Sequence, residues 1–372
     1  MASLLIMASC VKNDVVDDSI TRTVLIYIAA DNSLSTNANP NIYSMQAAVS
    51  KGMDNVRLLV YVDRMGVKPA LLHIHDHRID TVRAYQESNS ASSETLRKVI
   101  RDVVDGWQSE QYGLLLWSHG TGWLPQSKLH YVAPDLGYAQ SRTKAFACED
   151  KDTWIEIDDL ADAIPDGLFD YIAFDACYMA NVEVMYALRN KARYIISSTC
   201  EIPSSGFPYH NATRDLLNGN LMRVCSQFHS YYNSMSGWDK MACISLTKTD
   251  GLDSLARCFS KIVRQFKNSI PSMDVEGIQR YDRFNNHVFY DLEDFVEKLN
   301  PAKEDLNEFR LQLERCVVYK INTPYLFPGD SKDELKIDTH CGLSVYIPIR
   351  KYDQPGLNAE YRKTEWSKNT GY

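Results

Sequence analysis

The sequence predicts an α/β fold built on a mostly parallel central sheet. Continuous apolar runs of strand length recur along the chain, beginning with residues 23–29, 57–62 and 112–118. Such runs are typical of strands that are buried on both faces of a sheet. Helical apolar stripes stand between them, and strand–helix–strand alternation favours right-handed parallel crossovers.

The first run, residues 23–29, ends just before Asp31. A polar loop then opens a helix, which leads to the strand at 57–62. Residues 70–74 are interpreted as the hairpin partner of that strand, because a glycine and a proline stand between the two runs as turn residues.

Three histidines, His73, His75 and His77, alternate along this hairpin partner. Alternation places them on one face of a strand. Three imidazoles could bind zinc, but no further cysteine or carboxylate stands at ligand spacing. We therefore interpret them as part of an exposed edge and predict no metal site.

A helix is predicted next, with Ser93 as its N-cap and an apolar stripe from Leu96 to Trp107. The chain then enters the strand at 112–118, which ends on His119. From 124 to 152 the periodicity is lost, and a loop this long in a compact domain is usually functional or mobile.

Residues 170–175 form a further apolar strand, and Cys177 follows it on a polar turn. We expect a helix to start directly afterwards, where its N-terminus would favour the thiolate form of Cys177. Because neighbouring parallel strands end at one crevice, His119 and Cys177 are expected to face each other there. An imidazole beside a thiol is the minimum set for nucleophilic catalysis. Taken singly, each residue is more often a packing residue.

The segments around His119 and Cys177 resemble the His-Gly and Asp-Ala-Cys motifs of clostripain-like cysteine peptidases, members of the caspase, gingipain and legumain clan. Residues 28–34, 60–64, 290–292 and 342–348 also resemble landmarks of this family, in the same order. The resemblance covers nearly the whole chain. It implies a caspase-like three-layer sandwich and the activity of a cysteine endopeptidase.

This resemblance also implies a catalytic dyad. The Cys177 thiolate attacks the scissile carbonyl, and His119 supplies a proton to the leaving amine. The backbone N–H groups of Cys177 and Gly120 are expected to hold the developing oxyanion. No Asp or Asn is assigned as a third member.

The substrate pocket is expected to be acidic and to prefer Arg or Lys before the cleaved bond. Asp175 is the first candidate, because strand alternation puts it on the same side as Cys177 and the match to clostripain implies this role. A guanidinium would pair with that carboxylate; the alternative is a carboxylate that only caps the turn. Weaker candidates for the same charge are Asp31, at the end of the first strand, and Glu201. The resemblance to the clan implies that Ser198, Thr199 and Glu201 line one wall of the substrate groove.

Self-cleavage is expected in the 124–152 loop, after Lys144 or, as the second choice, after Arg142. The resembled family processes itself in this interval, and a mobile polar loop can unfold locally into an active site. The alternative is an ordinary surface loop whose basic residues are only solvated.

The rest of the chain is predicted to complete one core and an extension. A strand at 192–198, one helix over 212–235 and a strand at 241–246 close the core. Helices at 252–266, 291–299 and 305–318 and a late strand at 343–347 follow. We divide the chain into a signal remnant and tether (1–20), a peptidase core (21–248) and a helical C-terminal extension packed on that core (249–372).

Composition bears on binding partners, disulfides and cofactors. The chain has 40 Lys and Arg against 48 Asp and Glu, a net charge of −8, and no basic stripe with interleaved aromatics, which argues against a nucleic-acid binder. Its nine cysteines show no metal-type spacing and are expected to be mostly free, buried thiols. No cofactor is expected to be required; calcium is kept open, because calcium dependence occurs in the resembled family, although no EF-hand loop is present.

The first ten residues resemble the end of a bacterial lipoprotein signal with Cys10 as the lipid acceptor, although the basic n-region is missing. We expect a secreted or cell-envelope protein that acts on peptides or proteins and meets a membrane only through this anchor. Two other functions stay open: a thiol amidase on the same kind of sheet, and a binding lipoprotein without catalysis.

Overall fold

The computed structural model describes residues 20–49, 53, 55–134 and 153–372. Its strands are β1 (Arg22–Ala30), β2 (Val56–Arg64), β3 (Val67–His75), β4 (Arg78–Ala84), β5 (Gln111–Trp117), β6 (Phe169–Asp175), β7 (Ala192–Ser198), β8 (Cys243–Lys248), β9 (Tyr290–Asp291), β10 (Val317–Asn322), β11 (Tyr325–Leu326), β12 (Leu335–Lys336) and β13 (Ser344–Val345). Its helices are α1 (Ser35–Ala48), α2 (Ser93–Gly106), α3 (Gln126–Val132), α4 (Ile157–Ala163), α5 (Val182–Ala187), α6 (Tyr209–Asn218), α7 (Leu221–Asn233), α8 (Leu252–Val263), α9 (Leu292–Lys298), α10 (Lys303–Cys316), α11 (Leu357–Tyr361) and α12 (Glu365–Thr370).

A nine-stranded sheet in the order β10-β8-β7-β6-β5-β1-β2-β3-β4 forms the middle of the molecule. The five strands from β7 to β2 are mutually parallel, and antiparallel strands complete both sides. Helices α1, α6 and α7 pack together in one layer, while α2, α4, α5, α8 and α12 pack in another. The predicted α/β fold with a mostly parallel sheet is confirmed.

Strand register brings the carboxyl ends of three parallel strands into line. Trp117 of β5 lies opposite Ile28 of β1 on one side and Asp175 of β6 on the other. The backbone N–H of Ser118 continues the ladder to the Asp175 carbonyl at 3.4 Å. The residues that follow β1, β5 and β6 therefore share one edge of the sheet.

The structure corrects the predicted helix over 212–235. It is two helices, α6 and α7, because Gly219 adopts a left-handed conformation with φ of 71°. The backbone N–H groups of Gly219 and Asn220 bond to carbonyls of the last turn of α6. This glycine ends a helix that apolar periodicity alone would continue.

Several predicted boundaries also shift. The N-cap of α2 is Ser92, whose side chain accepts from the backbone N–H of Thr95. The loop that begins at 124 contains helix α3, and the last helix before β10 ends at Cys316. The sequence does not predict β4 or β10, because each is a solvent-facing edge strand without a continuous apolar run.

The histidine prediction is partly wrong. The rings of His73 and His75 stack with centroids 4.4 Å apart, as expected for one face of β3. His77 lies instead in the turn to β4, with φ of 59°. Across the part of the chain that the structure describes, no three His, Cys, Asp or Glu side chains converge as metal ligands.

The C-terminal part joins the core rather than standing apart from it. Strand β10 pairs with β8 in the main sheet, and β13 pairs with β9. The backbone N–H of Ser344 donates to the carbonyl of Ala180, three residues after Cys177, at 2.8 Å. The division at residue 248 stays a prediction, but residues beyond it contact the segment that follows the nucleophile candidate.

Two further features concern the described residues. The seven cysteines among them are free and buried, as predicted. None of the helices in these ranges is both long and apolar enough to cross a membrane.

Candidate active site

Cys177 lies on the turn between β6 and α5, as the sequence predicts, but the helix begins later than expected. Helix α5 starts at Val182, and Asn181 caps it by accepting from the backbone N–H of Val184 at 3.0 Å. The field of a helix terminus falls off within its first turn. The expectation that this N-terminus holds the Cys177 thiolate is therefore wrong.

Another backbone donor takes that place. The N–H of Ile202 points at the Cys177 sulfur with a nitrogen–sulfur distance of 3.2 Å. Ile202 belongs to the segment after β7, and the Cys177 side chain has no exposed surface beneath it. The thiol in turn faces the Ile202 carbonyl oxygen, 3.8 Å from the sulfur, so the Ile202 backbone contacts Cys177 through both its N–H and its C=O group.

Tyr178, the residue after the nucleophile candidate, has a strained backbone with φ of 58°. Several contacts hold it in this conformation. Its N–H donates to the Cys200 carbonyl at 3.1 Å, its hydroxyl donates to Glu201 at 2.9 Å, and its ring stacks on Phe289 at 4.7 Å. Non-glycine residues in this region persist only where the surroundings enforce them, and they cluster at functional sites.

His119 follows β5 at the same edge, with 8 % of its surface exposed. Its Nε2 atom lies 3.0 Å from the hydroxyl oxygen of Ser33, in the loop after β1. Sequence reasoning missed Ser33. Its position in the sequence could have indicated it. Ser33 stands two residues after Asp31, which directly follows β1, and β1 is the parallel neighbour of β5, the strand before His119.

Gly120 places the backbone after His119 directly against Cys177. A Cβ atom on Gly120 would lie 2.3 Å from the Cys177 carbonyl oxygen and 2.7 Å from its nitrogen. A Cβ atom on Gly122, whose φ is 59°, would lie 2.7 Å from the Tyr178 carbonyl oxygen. The two strand ends therefore meet through backbone contact that only glycine allows.

Asp175, the candidate for the substrate's positive charge, is fully buried at the end of β6. Its Oδ2 atom accepts hydrogen bonds from the backbone N–H of Phe207 at 3.0 Å and from the Tyr209 hydroxyl at 2.8 Å. The carboxylate thus also supports the loop before α6. Asp31, the weaker candidate, directly follows β1 and is half-buried.

Glu201, the other candidate for that charge, already has a partner. Arg283 contacts both of its carboxylate oxygens, at 3.0 and 3.3 Å, and the carboxylate is only 1 % exposed. Burial raises the pKa of Glu201, and the nearby Arg283 charge opposes that rise. Because Arg283 is already paired with it, the Glu201 carboxylate is not available for a positive charge on the substrate, and this prediction is corrected. Glu201 instead stabilises the wall of the groove.

Ser198 and Thr199 are likewise turned inward. The Ser198 hydroxyl bonds to the backbone of Cys200, and that of Thr199 lies 3.4 Å from the Nε2 atom of His340. Both residues have no exposed surface. In this closed state they stabilise the turn after β7 and do not line an open groove, contrary to prediction.

Three predicted residues fall outside the described ranges: the processing candidates Lys144 and Arg142, and the lipidation candidate Cys10. Thr153, which follows this interval, accepts through its hydroxyl from the Asn89 side chain at 2.8 Å. Trp154 and Glu156 then border a small cavity together with Thr121 of the turn after His119.

Comparison with known proteins identifies this arrangement. The model of the clostripain family matches residues 26–364. The chain belongs to the clostripain family. It is therefore a cysteine peptidase, and its substrates are peptides. A search of curated proteins gives no match.

Solved structures of clostripain-family members are similar over most of the chain. An inactive zymogen C11 protease from Parabacteroides distasonis has 33% identity and a TM-score of 0.81, with 94% of this chain and 98% of that chain covered. A secreted C11 cysteine protease from Bacteroides thetaiotaomicron, iotapain, has 26% identity and a TM-score of 0.81, with 94% and 99% covered. A clostripain from the same species, in complex with the peptide inhibitor BTN-VLTK-AOMK, has 30% identity and a TM-score of 0.51, with 59% and 96% covered.

Proposed function

We propose that this clostripain-family peptidase is an endopeptidase that uses a Cys177–His119 dyad and cuts after Arg or Lys. One observation carries the proposal: His119 and Cys177 follow adjacent parallel strands whose ends are paired, Trp117 against Asp175. The Gly120 backbone then packs against Cys177 itself. These are the two groups that thiol catalysis requires, at one sheet edge.

The proposed chemistry follows from these positions. The Cys177 sulfur attacks the scissile carbonyl carbon, and backbone N–H groups of Gly120 and Cys177 stabilise the negative oxygen that forms. His119 protonates the leaving amine as the C–N bond breaks, which leaves a thioester on Cys177. Water, deprotonated by His119, then releases the acid and restores the thiol.

Preference for Arg or Lys is assigned to Asp175. Its carboxylate is buried two residues before Cys177, and a buried carboxylate binds a cation more strongly than an exposed one does. The related clostripain with the inhibitor BTN-VLTK-AOMK supports a lysine in this pocket. With Glu201 occupied by Arg283, Asp175 carries this role, and Asp31 is a secondary contributor.

Self-processing in the 124–152 interval, after Lys144 or Arg142, is part of the same proposal. The complete burial of the Cys177 thiol supports it, because a peptide can reach the sulfur only after the surrounding structure rearranges. The similarity to an inactive zymogen also supports it. Secretion of iotapain supports a secreted protein. Anchoring through Cys10 is proposed only from the resemblance of the first ten residues to a lipoprotein signal.

No cofactor is assigned to the reaction. No step is routed through calcium, and a calcium requirement stays open. Peptide cleavage measured with EDTA and with added calcium decides it. Equal rates would show that calcium is not needed, whereas a loss of activity that calcium restores would show that it is.

Two substitutions test the dyad. Cys177→Ala and His119→Ala are each expected to reduce peptide cleavage by about 10³-fold or more while the melting temperature changes little. Cys316→Ala, a buried thiol far along the chain, is the matched control and keeps full activity. Normal cleavage by either dyad variant would overturn the assignment, whereas a silent wild type that binds peptide would favour the binding alternative.

A further inference from the structure

We propose that Ser33 is a positioning residue for His119, which rests on the proposed dyad. The Ser33 hydroxyl oxygen lies 3.0 Å from Nε2 of the imidazole. A histidine that must accept and return a proton needs a fixed ring orientation and a defined tautomer. Ser33 fixes the ring orientation from the loop after β1, and its hydroxyl can pair with either tautomer.

The loop that carries Ser33 is tied to the strand that carries His119. The Ala29 carbonyl accepts from the Ser118 hydroxyl at 2.8 Å and from the Asn32 side-chain amide at 3.1 Å. Ser118 immediately precedes His119, and Asn32 immediately precedes Ser33. The Ala29 carbonyl therefore holds Ser118 and Asn32 together, and these residues directly precede His119 and Ser33.

Asn32 also shapes the turn itself. Its side-chain oxygen accepts from the backbone N–H of Leu34 at 2.8 Å, across Ser33, and its own carbonyl accepts from the N–H of Ser35. Asn32 is buried, while Ser33 is exposed at the tip of this turn. Such a turn is pre-formed and presents the Ser33 side chain in one direction.

Helix capping does not account for Ser33. Helix α1 starts at Ser35, its N-cap is Leu34, and no side-chain hydrogen bond caps it. The Ser33 hydroxyl is thus directed at an imidazole instead of serving the adjacent helix.

The role follows from the proton balance of the reaction. We take the tautomer with hydrogen on Nε2, in which the ring donates a hydrogen bond to the Ser33 oxygen, so Nδ1 is the nitrogen that takes the thiol proton when sulfur attacks. The same Nδ1 proton passes to the leaving amine, and Ser33 gains and loses no proton. A bound peptide would cover the exposed side of this contact and strengthen it, because water then competes less.

Three variants test the proposal with any peptide that the wild type cleaves. Ser33→Ala is expected to lower kcat about fivefold to tenfold, the usual value of one hydrogen bond, with KM and melting temperature unchanged. Ser33→Thr keeps the hydroxyl and is expected to restore most of kcat. Ser35→Ala, at the first residue of α1, removes a hydroxyl that accepts from the Met65 backbone N–H and should leave kcat unchanged.

Wild-type kcat in Ser33→Ala, an equal loss in Ser35→Ala, or no rescue by Ser33→Thr would each overturn the role of Ser33. His119→Ala is measured in parallel. If His119→Ala keeps its activity, the dyad itself fails. If His119→Ala is inactive and Ser33→Ala is normal, only the role of Ser33 fails.

Discussion

The guanidinium of Arg283 forms a bidentate ion pair with Glu201, with Nε 3.0 Å from Oε1 and Nη2 3.3 Å from Oε2. Glu201 in turn accepts from the hydroxyl of Tyr178, the strained residue after Cys177. Arg283 comes from the C-terminal part of the chain and lies over the rings of Trp238 and Phe327. The C-terminal part therefore braces the turn that holds the nucleophile.

Arg283→Met is expected to destabilise the fold by about 3–5 kcal/mol, because it leaves the Glu201 carboxylate buried without its cation. Peptide cleavage should fall as well, since the Tyr178 turn loses its brace. Urea unfolding and steady-state hydrolysis measure the two effects. Lys363→Met removes an exposed pair with Glu360 and should cost less than about 1 kcal/mol. Equal stability of the two variants would refute the brace.

Gly120→Ala is expected to reduce peptide cleavage by about a hundredfold, because the added Cβ must push the Cys177 backbone out of place. Gly106→Ala is the matched control. Its Cβ would meet open space at the end of α2, and its backbone is not left-handed. Steady-state hydrolysis by both proteins decides the matter, and a fully active Gly120→Ala would show that this contact does not hold the nucleophile.

Asp175→Asn is expected to lower the preference for Arg and Lys over neutral residues by about 10- to 100-fold, since a charged hydrogen-bond partner is lost. Tyr209→Phe keeps the carboxylate but removes the hydroxyl that donates to its Oδ2 atom. That variant should keep the preference while the loop before α6 loosens. Cleavage of peptides that differ only at P1 separates the outcomes. If Asp175→Asn keeps the full preference for Arg and Lys, another residue supplies the negative charge of the pocket.

Glu183 provides a test of pH dependence away from the site. Burial raises the pKa of this carboxyl to about 8, and its Oε2 atom has no partner among the described residues. Between the unfolded value of 4.5 and about 8, the folded chain holds a proton that the unfolded chain lacks. Stability from this group is complete below pH 4.5 and is lost as the pH rises toward 8.

Glu183→Gln removes this titration. Relative to wild type, the variant is expected to gain stability on the order of 2–4 kcal/mol between pH 5 and pH 8. Denaturant unfolding of both proteins at the two pH values measures the difference. Glu365→Gln, at an exposed ion pair, should show no such trend. A constant difference between Glu183→Gln and wild type would mean that Glu183 does not titrate in this range.

Self-processing predicts two non-covalently joined fragments in wild-type protein and one intact chain in Cys177→Ala. Intact mass spectrometry of both purified proteins reports this directly. The expected junction follows Lys144 or Arg142. Cleavage of the Cys177→Ala protein to the same fragments would assign the cut to another protease, and an uncut but active wild type would reject processing.

The strand ends could be predicted from the sequence because each catalytic candidate follows a continuous apolar run. That pattern placed His119 and Cys177 at one sheet edge. The residues that support them could not be predicted in the same way. Ser33 meets His119 across 86 residues of sequence, and Arg283 meets Glu201 across 82 residues. No local periodicity reports such a contact, since it depends on register and on loop closure.

The groove residues show the same limit. Position along the chain placed Ser198 at the end of β7 and Thr199 and Glu201 directly after it, yet the side chains of all three are buried. A turn has no period of two or 3.6, so side-chain direction there cannot be inferred from alternation. The Ile202 N–H beside the Cys177 sulfur is a backbone contact and leaves no trace in residue type.

Active-site labelling tests the central claim most directly. Wild-type protein, Cys177→Ala and His119→Ala are incubated with a peptidyl chloromethyl ketone that carries lysine at P1, and peptide mapping by mass spectrometry locates the label. The account predicts one label per chain, on Cys177, with markedly slower labelling of His119→Ala and none of Cys177→Ala. A label on any other cysteine, or equal labelling of all three proteins, would contradict it.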